Sequence, residues 1–287
     1  MTPRATPAQT VGALEHRAKL QFTGENTQRI AWRIWGEGPP LLFLHGGAGS
    51  WTHWIRTIPD LARDHRVIAP DLPGFGDSDY DNSIDSTARV AERVARHLPE
   101  ILGRERATII GFSFGSMVGG YLARDLASHV AALILVGAVG MGLRRRPVAM
   151  HSWRALTDAN ARREAHRANL TALMIHDPAK VDDLALYLQQ RNAERTRLRT
   201  RGFSRGASPL ADTLPHATAP LAGIWGEHDV TVTPHLDERR DFLRRLRPGA
   251  PFHVINGIGH WVQYEGADAF NAALRNVLHV LQELKSS

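Results

Sequence analysis

The stretch Ala107-Thr108-Ile109-Ile110-Gly111-Phe112-Ser113-Phe114-Gly115 constrains this chain more than any other. A short β-prone run enters Gly-x-Ser-x-Gly, and Ser116 to Ser128 then repeats apolar residues at helical spacing. Strand, tight turn and helix in that order leave five residues to reverse the chain. The glycines permit a strained turn, and the serine hydroxyl is lifted to the edge of a sheet. The same pattern recurs at Gly202–Gly206, but an arginine-rich stretch precedes it and no clear helix leaves it. Ser113 is therefore the candidate nucleophile and Ser204 the decoy.

The rest of the chain supplies the sheet that such a turn needs. Strand-like runs fall near 18–23 and 28–36, then at Leu41–Leu44, Arg66–Ala69, Ala107–Ile110 and Val130–Val136. Helical stretches are expected at 51–63, 85–102 and 116–128. Two further runs, Leu221–Trp225 and Phe252–Ile255, precede a closing helix at about 268–284. Short apolar strands alternating with helices predict an α/β fold, a mostly parallel central sheet with helices on both faces. Residues 144–213 break this rhythm. They contain no strand-like run and suggest helices at 152–173 and 178–200, which predicts a helical cap inserted between core segments 1–143 and 214–287.

A serine hydroxyl needs a base, and the base needs a carboxylate to orient it. His260 follows a predicted strand across Gly257-Ile258-Gly259, which places it at the same sheet edge as Ser113. Asp229 and Glu227 both follow the strand Leu221–Trp225, and either could orient that histidine. The order Ser113, Asp229, His260 is the order found in hydrolases with this elbow. His45-Gly46-Gly47 follows an early strand, and its glycines let backbone amides approach a developing oxyanion. Gly47 and Phe114 are the expected donors.

Composition narrows the function. The chain has no cysteine, so disulfides, thiolate catalysis and cysteine-held metal clusters are ruled out. That agrees with a reducing, cytoplasmic setting, and Met1–Leu20 has no apolar core resembling a secretory signal. The apolar run at 130–143 is too short to span a membrane. Residues 144–205 carry fourteen basic and six acidic side chains, a local +8, whereas the remainder carries twenty-one and twenty-three, or −2. No nucleic-acid motif accompanies this excess, so the expected partner is a small anionic substrate with an apolar part, not a nucleic acid or a membrane. The sequence leaves self-association open, and no metal or organic cofactor is needed by a serine, an imidazole and fixed dipoles.

Taken together, Leu44-His45-Gly46-Gly47, Asp71-Leu72-Pro73-Gly74-Phe75-Gly76-Asp77-Ser78, the Ser113 turn, Gly226–Asp229 and Gly259-His260 resemble the α/β-hydrolase superfamily. That resemblance favours Asp229 over Glu227 as the acid. The stretch Gly259-His260-Trp261-Val262-Gln263-Tyr264-Glu265 is similar to that of meta-cleavage product hydrolases, which cut a carbon–carbon bond in dienoates made by aromatic ring fission. The resemblance implies that Arg191, in a cap helix, and Trp261 help to bind the dienoate. Its pattern usually carries Asn before the serine, near the substrate, where this chain has Phe112. An apolar ring there favours the alternative, a carboxylesterase or lactonase acting on a hydrophobic ester. A non-catalytic small-molecule receptor on the same fold is the alternative from another class, and the full Ser-Asp-His set argues against it.

Overall fold

The computed structural model describes residues 5–286 except 201–202 and 204–207. The decoy at Gly202–Gly206 lies largely outside the described residues. Eight strands form one sheet among the described residues: β1 (Lys19–Thr23), β2 (Ile30–Trp35), β3 (Pro40–Leu44), β4 (Arg66–Pro70), β5 (Ala107–Phe112), β6 (Val130–Val136), β7 (Leu221–Gly226) and β8 (Phe252–Ile255). Their spatial order is β1-β2-β4-β3-β5-β6-β7-β8. The β1–β2 and β2–β4 pairs are antiparallel, and the five pairs beyond them are parallel, as expected.

The helices are α1 (Pro7–His16), α2 (Ile58–Leu61), α3 (Thr87–Leu102), α4 (Phe114–Asp125), α5 (Ala159–Asn169), α6 (Asp183–Glu194), α7 (Pro209–Thr213), α8 (Leu236–Leu246), α9 (Val262–Glu265) and α10 (Ala267–Ser286). Strand alternation divides the core. Leu41 and Phe43 of β3 join one apolar cluster with Trp54, Leu188 and Phe270, while Leu42 and Leu44 join the other with Val94, Leu98 and Val118. Both faces of β3 are therefore covered, which is why it reads as a continuous apolar run rather than an alternating one.

Several boundaries differ from expectation for local reasons. A helix cannot run through 51–63, because Pro59 fits only a first turn; a 3-10 turn at Trp51–Trp54 and the short α2 replace it. The expected helix at 178–200 is cut by Asp182, whose carboxylate accepts the Ala185 N–H at 2.8 Å and starts α6 afresh. Asp158 caps α5 in the same way, so the helix starts at Ala159 rather than 152. The polar leader holds α1, started by a capping box between Thr6 and Gln9 and seated on buried Val11 and Leu14. Between β6 and β7 no strand occurs among the described residues. No helix of the described residues is long and apolar enough to cross a membrane.

Candidate active site

The register brings four chain ends to one edge of the sheet. Leu44 lies beside Gly111, Phe112 beside Val136, Val136 beside Ile224 and Gly226 beside Ile255. The segments leaving β3, β5, β7 and β8 therefore converge outside the carboxyl ends of the strands, where open α/β sheets place their ligands.

Ser113 leaves β5 at φ +50°, a left-handed conformation that is strained for a serine. Its surroundings hold it there. A Cβ on Gly115 would stand 2.3 Å from the Leu44 carbonyl oxygen, and one on Gly111 would stand 2.7 Å from the Gly115 carbonyl oxygen. Only glycine fits either position, so the close packing of α4 on β3 fixes the turn.

His260 Nε2 stands 3.1 Å from Ser113 Oγ, and its Nδ1 is 2.8 Å from Asp229 Oδ2. The other oxygen, Oδ1, accepts the Thr231 N–H at 2.9 Å and the Thr231 hydroxyl at 2.7 Å. Asp229 is wholly buried, and these bonds orient it. The rival acid serves elsewhere. Glu227 accepts the Gly257 N–H at 2.8 Å and so braces the turn before His260. An imidazole placed between a serine hydroxyl and an oriented carboxylate can remove the hydroxyl proton and hold it.

Gly47 and Phe114 border the same cavity as Ser113. Among the described residues neither backbone N–H has a protein acceptor, so both remain available to an oxyanion. The Gly47 donor is aimed from behind. His45 Nε2 accepts the Leu72 N–H at 2.9 Å, which puts the ring proton on Nδ1, and that nitrogen donates to the Gly46 carbonyl at 2.8 Å. The Gly46 carbonyl and the Gly47 N–H share one planar peptide, so holding the first directs the second. Burial, offset in part by Asp71, lowers the His45 pKa from its ordinary value.

The cavity over Ser113 measures about 230 Å³. Phe112, Phe114, Met117, Leu173 and Met174 form its apolar wall, and Arg145, Gln189 and Thr200 supply polar groups from the inserted segment. A second space of about 480 Å³ shares Ala48, Met150, Gln189 and Thr200 with it and is edged by Arg154 and Arg199.

Two expected residues lie elsewhere. Arg191 on α6 turns toward α1, 3.7 Å from Glu15, and does not line the cavity. Trp261 is buried behind it, stacked on Tyr264 at 4.1 Å, with its Nε1–H donating to the His53 carbonyl at 3.0 Å. Sequence reasoning misses three residues at the site. Arg145 is one among many arginines between 144 and 205, and His53 one among fifteen histidines. Thr231 does carry a signal, since a threonine two residues after an aspartate can close a local side-chain turn.

The chain matches the family described as alpha/beta hydrolase fold over residues 39–267. A 2-hydroxy-6-oxo-6-phenylhexa-2,4-dienoate hydrolase from Burkholderia cepacia is 30% identical over 252 residues, 82% of this chain and 86% of that protein. A 2-hydroxy-6-oxononadienedioate/2-hydroxy-6-oxononatrienedioate hydrolase from Paraburkholderia phymatum is 29% identical, covering 89% and 92%. Among solved structures, a meta-cleavage product hydrolase from Pseudomonas fluorescens IP01 superposes with a TM-score of 0.69 at 25% identity, over 88% of this chain and 94% of that one. An esterase from Rhodococcus sp. ECU1013 gives 0.73 at 26%, over 92% and 99%. With that match spanning most of its length, and with those relatives, the chain belongs to the α/β-hydrolase family.

Proposed function

We propose that this enzyme is a serine hydrolase that cleaves a carbon–carbon bond in a ring-fission product of the 2-hydroxy-6-oxo-dienoate type. The hydrogen-bonded line Asp229–His260–Ser113, opening on an apolar-walled cavity with Arg145 at its side, carries the reading. The substrate first passes from enol to keto form. His260 then takes the Ser113 proton as Oγ adds to the ketone carbon, and the oxyanion rests on the Gly47 and Phe114 N–H groups. The C–C bond breaks with its electron pair on the dienol fragment, which receives the proton from His260. Water, deprotonated by the same imidazole, frees the acyl group from Ser113 as a carboxylic acid. Asp229 keeps the ring in the right tautomer and steadies the imidazolium. Arg145 lines the cavity, and its planar fork suits the dienoate carboxylate. Residues 144–213 act as the cap that closes over the substrate.

Two observations favour a second reading, a carboxylesterase or lactonase: Phe112 presents an apolar ring beside His260 at 5.0 Å, and Arg191 faces Glu15 instead of the cavity. Turnover of an aromatic ring-fission dienoate and of p-nitrophenyl butyrate, measured side by side, separates the two. Dienoate cleavage abolished in Ser113→Ala and weakened in Arg145→Ala supports the first reading. Ester hydrolysis with an inert dienoate assigns the enzyme to the second. Full turnover in Ser113→Ala would overturn both.

A further inference from the structure

His53 sits in the 3-10 turn after β3, is buried, and borders the cavity without belonging to the Ser113–His260–Asp229 line. Its Nδ1 lies 3.1 Å from the Gly46 nitrogen. A backbone N–H can only donate, so Nδ1 accepts and the ring proton must be on Nε2. This is the opposite tautomer to His45, whose Nδ1–H donates to the carbonyl of the same glycine. Gly46 is thus held at its N–H by one histidine and at its C=O by another. Both peptides flanking Gly46 are fixed, including the one that carries the Gly47 N–H.

The ring is itself held. A Cβ on Gly49 would stand 2.2 Å from His53 Cε1, so glycine there leaves room for the imidazole. Edge-on contacts place Phe112 at 5.4 Å and Trp261 at 5.2 Å between ring centroids. The Trp261 Nε1–H donates to the His53 carbonyl at 3.0 Å, and Trp261 is the neighbour of His260 in the chain. A continuous path therefore runs from the loop bearing the base, through Trp261 and His53, to the turn bearing the oxyanion donor.

We propose that His53 is a positioning residue for the oxyanion donor: it locks the Gly46–Gly47 turn and, through Trp261, ties that turn to the loop carrying His260. The assignment rests on the serine-hydrolase reading, since it gives His53 a part in the oxyanion step of that reaction.

Comparing His53→Leu, His53→Asn and Trp261→Phe with the wild type, on whichever of the dienoate or the ester the wild type turns over, tests this. Leucine removes the acceptor, and kcat should fall about 100-fold with KM changed less than about threefold, as for a lost oxyanion donor. Asparagine can place Oδ1 where Nδ1 stood, and it should restore kcat to within about fivefold of wild type. Trp261→Phe keeps a ring but loses the Nε1–H, and a fall of about tenfold is expected. Inhibition by phenylboronic acid, whose serine adduct fills the oxyanion site, should weaken in step with kcat. If His53→Leu keeps kcat within about twofold, or if asparagine is as slow as leucine, the proposal is overturned. Should His53→Leu fail to fold, the Asn variant and Trp261→Phe still decide. Ser113→Ala run in parallel separates the two failures: activity surviving there overturns the hydrolase reading itself.

Discussion

Ser113 holds a left-handed backbone that a serine adopts only under constraint, and the constraint is the absence of side chains at Gly111 and Gly115. Gly115→Ala drives a methyl group into the Leu44 carbonyl. It should cost about 1–3 kcal/mol of stability, read from the denaturant midpoint, and cut turnover through the displaced Oγ. On the proposed scheme the Asn variant at Asp229 keeps the shape without the charge beside His260, and kcat should fall on the order of 10²–10⁴-fold with little change in KM. The turn at Ser113 and the position of His260 were legible because each is a short motif pinned to a strand end. The strand end alone left Asp229 and Glu227 equal, and only the family resemblance favoured Asp229. Arg191 and Trp261 follow no such rule. Whether α6 directs Arg191 at the cavity or at Glu15 depends on how that helix sits against α1 and the sheet, and local sequence does not encode that.

At the scale of elements, polar side chains fix the docking of α6 beside the apolar contacts of Leu186 and Leu188. Asn192 of α6 accepts from the Ser50 hydroxyl at 2.8 Å and donates to the Thr52 hydroxyl at 3.0 Å, all three buried. Asp182 accepts from Tyr264 and from Arg56, both at 2.6 Å. Burial, with the Asp182 bond, pushes up the Tyr264 phenol that donates to Asp182. Asn192→Ala takes a partner from two buried hydroxyls and should lower stability by about 1–3 kcal/mol, with KM raised more than kcat is lowered. Thermal melts and steady-state kinetics check both. Most strands were legible because the central parallel ones, β3, β5, β6 and β7, are buried almost throughout and read as apolar runs. The helices expected at 51–63 and 178–200 run too long, because Pro59 and the Asp182 cap act as breaks inside otherwise helix-compatible stretches.

Across the whole molecule, buried histidines tie stability to pH. Burial holds His45, His53 and His166 below the usual value of 6.5, His53 well below it. The unfolded chain takes up these protons first as pH falls, so stability should decline from about pH 6.5 downward and level off above it. His53→Asn should flatten that slope in melts run between about pH 5 and 8. Residues 144–205 carry a net +8, which the Arg195–Asp77 pair offsets in part, and Arg154 and Arg199 edge the second cavity. KM for an anionic substrate should therefore rise with ionic strength while KM for a neutral ester stays level. The mass of the enzyme after exposure to a fluorophosphonate, followed by peptide mapping, tests the assignment of the nucleophile most directly. One adduct per chain is expected, on Ser113, absent in Ser113→Ala and formed far more slowly in His260→Ala. An adduct on Ser204, or full turnover by an enzyme that carries one on Ser113, would contradict it.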